Sequence, residues 1–272
     1  MKASEISRYR DDEGRFVIGT TIIKQFSRED VCPAKLKALY VDDIAERTPT
    51  SSMQKGNFFE TLCIGSCADG SKVIDLPRQK SKDKETGEYK KYVDQIRIEY
   101  QVEVFKQVME AYNFEIQNAQ MKLLEPIDEF LALGTTIDIL TEDQGSTLII
   151  DLKLTKDVNS TWGDFCWGTP ELMDHSQPIL ISWLWEQLYG EKPRFIYAVF
   201  DYKDSSDYKL IEKIVTVTDY MELEEKIRRI LVSIRGYYKN GWDKIPSYAN
   251  CHNCPLNTVC DKQITIKPIE II

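Results

Sequence analysis

Two apolar segments, LALGTTIDIL at residues 131–140 and TLIIDLKL at residues 147–154, decide the fold of this chain. Both are rich in aliphatic and β-branched residues, and the short polar stretch TEDQGS joins them. Two segments of this composition on either side of a polar turn are typical of a β-hairpin. We therefore expect two neighbouring strands in the middle of the chain.

The rest of the chain alternates between helical and strand patterns. Residues 77–92 are highly charged, and we interpret them as a surface loop with some disorder. This order of elements predicts a mixed α/β protein with helical material packed at one end. The pattern predicts helices at 27–44 with Ser27 as N-cap, 53–67, 93–112, 170–189 and 219–239, and further strands at 115–124, 194–202 and 208–217.

Composition and charge narrow the possible functions. The net charge of −9 weighs against a nucleic-acid partner, because lysine and arginine supply most non-specific affinity for phosphates. Metal-binding carboxylates add negative charge that bound cations cancel, so the acidity does not exclude such a partner. The sequence shows no transmembrane run and no signal peptide, so we expect a cytoplasmic protein with no membrane partner.

Three ionisable residues lie on the predicted hairpin. Asp138 is on its first strand, and Asp151 and Lys153 are on its second. Side chains two apart on a strand point to the same face, so Asp151 and Lys153 share one side of the sheet. Charges in such apolar strands are costly unless they pair or bind a cation. The spacing allows either a simple ion pair on an exposed hairpin or a catalytic centre.

The pattern Gly134-Thr-Thr-Ile-Asp138, followed by Ile149-Ile-Asp151-Leu-Lys153, resembles the PD-(D/E)XK nuclease superfamily and its RecB-like branch. The resemblance implies a restriction-endonuclease-like core, with a mixed central sheet flanked by helices. It implies that Asp138 and Asp151, with Leu152 between the motif residues, hold Mg²⁺ or Mn²⁺. Lys153 would position and activate the attacking water, a role suited to an ammonium group whose pKa falls readily on burial.

Two further residues extend the resemblance. Glu60, in Lys55-Gly-Asn-Phe-Phe-Glu60, stands where the family has a metal ligand on a helix, as in lambda-type exonucleases. Gln177 stands where the family has a helix glutamine that orients the lysine, although Ile181 replaces the usual aromatic residue four positions later. A solvated helix position for Glu60 and a capping or surface position for Gln177 are the structural alternatives.

The seven cysteines are unevenly distributed. Cys251-x₂-Cys254-x₅-Cys260 lies near the C-terminus and Cys32 stands alone near the N-terminus. Three thiols within ten residues suggest a metal site. The set resembles the iron–sulfur nucleases of the AddB type and their CRISPR-associated relatives, which implies a structural 4Fe–4S cluster on all four cysteines. A zinc site completed by His252, or reduced free thiols, are the alternatives.

Together these features predict a Mg²⁺- or Mn²⁺-dependent DNA exonuclease of recombination, repair, or phage or CRISPR DNA processing. A structure-specific endonuclease and a non-catalytic DNA-binding or scaffold subunit are the alternatives. Any helicase or recombinase partner would be a separate chain, since the sequence has no Walker A motif. We expect one domain over residues 1–272. It would comprise a helical part at 1–112, a catalytic core at 113–218, and a C-terminal helix with the cysteine segment at 219–272.

Overall fold

The computed structural model describes residues 9–28, 30–44, 49–163, 165–204, 207–251, 254–256 and 259–261. The chain forms two compact units. The first consists of Met1–Arg47, Glu125–Gly134 and Val217–Ile272, and the second of Thr48–Leu124 and Thr135–Thr216.

The elements alternate between helices and strands along the chain. No described helix is both long enough and apolar enough to cross a membrane. In order, the elements are β1 (Phe16–Ile18), α1 (Thr20–Phe26), α2 (Pro33–Leu36), a π-helical turn (Lys37–Val41), α3 (Ser51–Ile64), α4 (Val93–Ala111), β2 (Asn118–Pro126), β3 (Leu131–Asp143), β4 (Ser146–Thr155), a 3₁₀ turn (Pro170–Leu172), α5 (Ser176–Tyr189), β5 (Arg194–Asp201), β6 (Tyr208–Glu212), α6 (Val217–Asn240) and α7 (Tyr248–Cys251).

A mixed sheet forms the centre of the second unit. Strand β3 pairs antiparallel with β4, β4 pairs parallel with β5, and β5 pairs antiparallel with β6, while β2 pairs with β3. The predicted hairpin is confirmed, with Ile139 opposite Ile150 in its register. Helices accompany the sheet, so the expected mixed α/β class is confirmed as well.

One face of this sheet packs against α3 and α4. Phe58 and Phe59 of α3 and every third or fourth residue of α4 from Ile98 onwards join Ile150 and Leu152 of β4 in one buried apolar cluster. Each such side chain contributes roughly 1.5–3 kcal/mol when fully buried. Because Ile150 and Leu152 face this cluster, strand alternation directs the intervening Asp151 to the opposite face.

The first unit is built around α6, which is amphipathic. Its buried residues recur at helical spacing, and α1 packs beside it. Strand β1 pairs in parallel with the first residues of β3, with Phe16 opposite Leu131. The buried residues of α6 are Leu223, Ile227, Ile230 and Ile234.

Several predicted element boundaries are wrong. Ser27 is the C-cap of α1 and does not begin a helix. The next helix starts at Pro33, because the fixed φ of proline suits the first turn of a helix. Proline also lacks the backbone N–H, which would have no partner at that position. Helix α3 ends at Gly65, whose positive φ of 91° terminates it before the predicted Cys67. Strand β6 ends at Glu212, earlier than expected.

Candidate active site

Asp138 lies on β3 and is 7% exposed. Its Oδ2 accepts a hydrogen bond from the backbone N–H of Leu152 at 2.8 Å, which ties the carboxylate to the neighbouring strand. The Leu152 side chain belongs to the apolar cluster, so this residue meets the acids through its backbone. The observed contact uses the Leu152 N–H, and the part of Leu152 in metal binding, which its backbone carbonyl oxygen would have to supply, stays a prediction.

Asp151 lies on β4 and is 2% exposed. One of its carboxylate oxygens, Oδ2, forms an ion pair with Lys153 Nζ, and the other, Oδ1, accepts from Gln177 Nε2 at 2.6 Å. The expected ion pair is therefore present, but its carboxylate is buried and does not lie on an exposed hairpin. Gln177, in the first turn of α5, contacts Asp151 directly, and the same carboxylate links it to Lys153.

Glu60 reaches the two aspartates from α3. Its Oε1 accepts a hydrogen bond from Gln120 Nε2 at 2.5 Å, and the same nitrogen lies 3.4 Å from Asp138 Oδ1. Since one nitrogen contacts both oxygens, the carboxylates of Glu60 and Asp138 are neighbours. The structure thus brings together Glu60, Asp138, Asp151, Lys153 and Gln177, and it places Glu60 away from the solvated face of α3.

Burial raises the pKa of each of the three carboxyls, and repulsion from neighbouring carboxylates adds to this effect at Asp138 and Glu60. Burial, with a contribution from Asp151, raises the pKa of Asp138 to about 8. Burial also raises the pKa of Glu60 to about 7, against the lowering effects of Gln120 and Lys153. The pKa of Asp151 is raised by burial as well. Such raised values mark a site where ionised carboxylates lack enough positive charge.

Lys153 behaves differently from the expectation of a lowered pKa. Burial alone lowers the pKa of its ammonium group, but Asp151 and Asp138 together raise it above the ordinary lysine value. Attraction by two nearby carboxylates therefore outweighs desolvation. The side chain stays a fixed positive charge in this centre.

The three carboxylates have the chemistry of a divalent-cation site. Mg²⁺ and Mn²⁺ prefer hard oxygen ligands, and a cation among these acids would stabilise the ionised carboxylates that burial disfavours. Within the described residues, however, no group of three or more His, Cys, Asp or Glu side chains is arranged to enclose a metal ion. The three carboxylates are suitable ligands for the cation. In the observed arrangement, Lys153 pairs with Asp151, and Gln120 contacts the other two acids.

The four cysteines of the first unit line one cavity. Cys32, Cys251, Cys254 and Cys260 surround it with Lys35 and Lys244. The Cys32 sulfur accepts a hydrogen bond from the Ile245 N–H at 3.3 Å, and Asn250 connects the two chain segments by accepting from the Cys32 N–H at 3.2 Å. The thiol chemistry fits a structural metal cluster, although the metal-enclosing arrangement is also lacking here among the residues described. His252 lies outside the described residues.

The loop after β4 carries aromatic residues. Trp167 is buried and Phe165 stacks on it at 5.3 Å between ring centroids, whereas Trp162 is 85% exposed. The loop is braced by Asp201, whose buried carboxylate accepts from the Val158 N–H at 3.1 Å. It closes where the Gly168 N–H donates to Ser160 O at 2.7 Å. Trp162 is therefore exposed on a loop that is held by hydrogen bonds and that follows β4, the strand with Asp151.

Sequence reasoning missed Gln120. This residue lies in β2 with a positive φ of 54°, which side chains other than glycine, asparagine and aspartate seldom adopt. Neither the backbone conformation nor the contact with two acids has a signature in the sequence. The available signal was its place on the strand that precedes the hairpin.

Comparison with known proteins agrees with this geometry. The family model described as "PD-(D/E)XK nuclease superfamily" matches residues 24–261. No curated protein matches the sequence significantly. The chain is similar to the crystal structure of a "Putative exonuclease" from Eubacterium rectale, with a TM-score of 0.59, 16% identity, and coverage of 99% of this chain and 96% of that one.

A second structure, SSO0001, has a TM-score of 0.39 and 9% identity over 96% of this chain and 93% of that one, too low to carry an argument. The first structural likeness and the mixed sheet flanked by helices agree with a restriction-endonuclease-like fold. The family match extends over most of the chain and includes every predicted acid of the centre. This chain belongs to the PD-(D/E)XK nuclease superfamily.

Proposed function

We propose that the chain is a Mg²⁺- or Mn²⁺-dependent deoxyribonuclease that digests DNA from its ends. The observation that carries the proposal is the convergence of three buried carboxylates and one lysine in a chain of this nuclease superfamily. Glu60, Asp138 and Asp151 would hold the cation. Divalent cations in such sites polarise the phosphoryl oxygens and lower the pKa of a bound water.

The chain's own residues contribute orientation and charge. Gln177 fixes one oxygen of Asp151, and the Leu152 N–H fixes one oxygen of Asp138, so both carboxylates have a defined direction. Lys153 keeps its proton at Nζ, because the adjacent acids raise its pKa. Its ammonium group would therefore orient the attacking water and stabilise negative charge on the phosphate, and it would not take up a proton.

Substrate binding is assigned to the braced loop after β4. Trp162 is exposed on this loop, and an exposed indole offers a flat surface on which a nucleobase can stack. Its loop follows β4, which carries Asp151 and Lys153. A base stacked on Trp162 would therefore belong to a nucleotide near the bond that is cut. This supports a nucleic-acid substrate despite the net negative charge of the chain.

The cysteine cavity supports a finer assignment to the RecB-like, AddB-type branch. We infer that Cys32, Cys251, Cys254 and Cys260 hold a structural iron–sulfur cluster, with zinc as the alternative. The support is that all four cysteines line one cavity in the first unit, beside the positive charges of Lys35 and Lys244. Such a cluster would join two segments of that unit that lie far apart in the sequence.

A nuclease assay on two DNA forms tests the proposal. End-labelled linear DNA and covalently closed circular DNA are incubated with the purified protein and Mn²⁺, in parallel with the Asp138→Asn variant. Degradation of linear DNA alone, lost in the variant, supports the exonuclease. Cleavage of the circular form as well would replace it by an endonuclease. Binding of DNA without cleavage of either form would favour the non-catalytic alternative.

A further inference from the structure

Gln120 lies between two of the carboxylates of the centre. Its Nε2 donates to Glu60 Oε1 at 2.5 Å and also contacts Asp138 Oδ1 at 3.4 Å. An amide nitrogen carries two hydrogens, so one side chain can serve both acids. The positively polarised end of an uncharged group thus occupies the space between two carboxylates that would share a cation.

The backbone of Gln120 is unusual for a strand. Its φ of 54° lies in the left-handed region, although β2 continues on both sides of it. Such conformations are unfavourable for glutamine and persist where the surrounding structure requires them, most often at functional sites. Regular strand alternation is interrupted at this residue, and its side chain consequently reaches the acids.

The two ends of the Gln120 amide are unequally satisfied. Its nitrogen faces two acceptors, whereas its Oε1 is buried and accepts no hydrogen bond from any residue that the structure describes. When both acids are ionised, exchanging the two atoms would direct an acceptor at two carboxylates, so the ionised acids fix the orientation of the amide. Buried amide oxygens normally accept a hydrogen bond. The oxygen of Gln120 remains without one in the orientation that keeps the NH₂ group against Glu60 and Asp138.

We propose that Gln120 is a place-holder for the divalent cation, occupying the space between Glu60 and Asp138 in the metal-free protein and withdrawing when a cation binds. The inference rests on the proposed function of this centre. Mg²⁺ requires its oxygen ligands at about 2.0–2.1 Å, and an amide nitrogen cannot stay between the same oxygens. Gln120 is thus a positioning residue that competes with the metal and sets the concentration at which the centre loads.

Removal of the amide tests this competition without any nuclease assay. Gln120→Gly is the suitable deletion, because glycine adopts a positive φ freely while alanine would retain the strain. Mn²⁺ binding to the metal-free protein is measured by titration calorimetry in the absence of DNA. We expect the variant to bind Mn²⁺ about 3- to 10-fold more tightly, the equivalent of losing one competing hydrogen bond. Gln120→Glu, which adds an acidic ligand in place of the donor, should bind more tightly still.

Gln144→Gly is the matched control. Gln144 has nearly the same φ, 53°, but lies exposed in the turn between β3 and β4. Its replacement by glycine relieves the same kind of backbone strain without touching an acid of the centre. We expect this variant to bind Mn²⁺ with wild-type affinity, so any gain common to both glycine variants would be a backbone effect and would overturn the inference.

A spectroscopic readout follows the amide directly. The side-chain NH₂ resonances of Gln120, assigned by their loss in Gln120→Gly, should shift when saturating Mg²⁺ is added to the wild-type protein. Unshifted resonances would contradict withdrawal of the amide, as would equal or weaker Mn²⁺ binding by Gln120→Gly. If wild-type protein binds no Mn²⁺, or if Asp138→Asn binds it equally well, the proposed function of the centre fails and the inference fails with it.

Discussion

Gln177 and Asp151 are joined by a hydrogen bond of 2.6 Å from Nε2 to Oδ1, and the other oxygen of Asp151 pairs with Lys153. The helix glutamine therefore acts on the lysine through a carboxylate. Groups that orient metal-binding side chains in this way typically change metal affinity or activity by 10- to 100-fold when they are removed.

Gln177→Ala should lower the rate of DNA cleavage about 10- to 100-fold, because Asp151 loses the donor that fixes its direction. Loss of the bond to the buried Asp151 carboxylate should also lower the free energy of unfolding by about 1–3 kcal/mol. Cleavage rates at saturating Mn²⁺ provide the measurement. Gln187→Ala, at an exposed position of the same helix, is the control and should cleave at the wild-type rate.

The stability of the metal-free protein should depend on pH through the acids of the centre. The folded-state pKa values of Asp138 and Glu60 are raised to about 8 and about 7 from ordinary values near 4. Their stabilising effect is complete below about pH 4 and is lost as the pH rises through 7 and 8. The free energy of unfolding should therefore fall over this window, by at most about 1.4 kcal/mol per pH unit for each group.

Asp138→Asn should flatten this pH dependence, because the buried group no longer ionises. Denaturant unfolding between pH 5 and pH 8, with a chelator present, is the measurement. Asp128→Asn is a control, since Arg235 holds the pKa of Asp128 below its usual value. The ionisation of Asp128 therefore changes the free energy of unfolding only below about pH 4, outside the measured range. An equally steep decline in Asp138→Asn would show that the slope arises elsewhere.

Trp162→Ala should weaken binding of single-stranded DNA about 5- to 150-fold, the range given by loss of one base-stacking contact worth about 1–3 kcal/mol. The exposed indole has little to contribute to the fold, so stability should be unchanged. Fluorescence anisotropy of a labelled oligonucleotide with Ca²⁺ or chelator present measures binding without cleavage. Leu172→Ala, a comparably exposed apolar residue, should bind as the wild type does.

Cys32→Ser should remove the colour of anaerobically purified protein and destabilise it. A cluster that closes so long a loop would stabilise the first unit by roughly 4–5 kcal/mol, by analogy with a disulfide. Absorbance near 400 nm and iron content are the measurements. Cys63→Ser is the control, because burial raises the pKa of the Cys63 thiol and Cys63 packs against the apolar cluster of the second unit. Colourless wild-type protein with one bound zinc per chain would instead establish the zinc alternative.

Much of the centre could be predicted because the alternation of side chains along a strand can be recognised from the order of apolar and charged residues. Two charges spaced by one apolar residue, within segments that are otherwise aliphatic, place Asp151 and Lys153 on one face and Leu152 on the other. The hairpin and α4 followed from equally regular patterns. The roles assigned to the residues of the centre remain predictions that the mutants above would test.

Other features depend on long-range contacts that local patterns do not contain. The left-handed backbone of Gln120 accompanies contacts with Glu60 and Asp138, which lie 60 and 18 positions away along the chain. Strand β1 has three residues and pairs with the start of β3, more than 100 positions away along the chain. Ser27 has the composition of an N-cap, but Pro33 sets the start of the following helix and makes Ser27 the end of the preceding one.

The most direct test of the central claim is the effect of Asp151→Asn on metal-dependent cleavage of linear DNA. Asparagine retains the size of the side chain and can still accept from Gln177, and Asp138 remains as a negative partner for Lys153, so the fold should persist. Asp157→Asn, at the exposed end of the same segment, is the matched control. We predict Mn²⁺-dependent cleavage by the wild type and by Asp157→Asn, and a loss of about 100- to 1,000-fold in Asp151→Asn, as for other groups that stabilise charge in a transition state. Cleavage by Asp151→Asn at the wild-type rate would contradict the assignment of the active site.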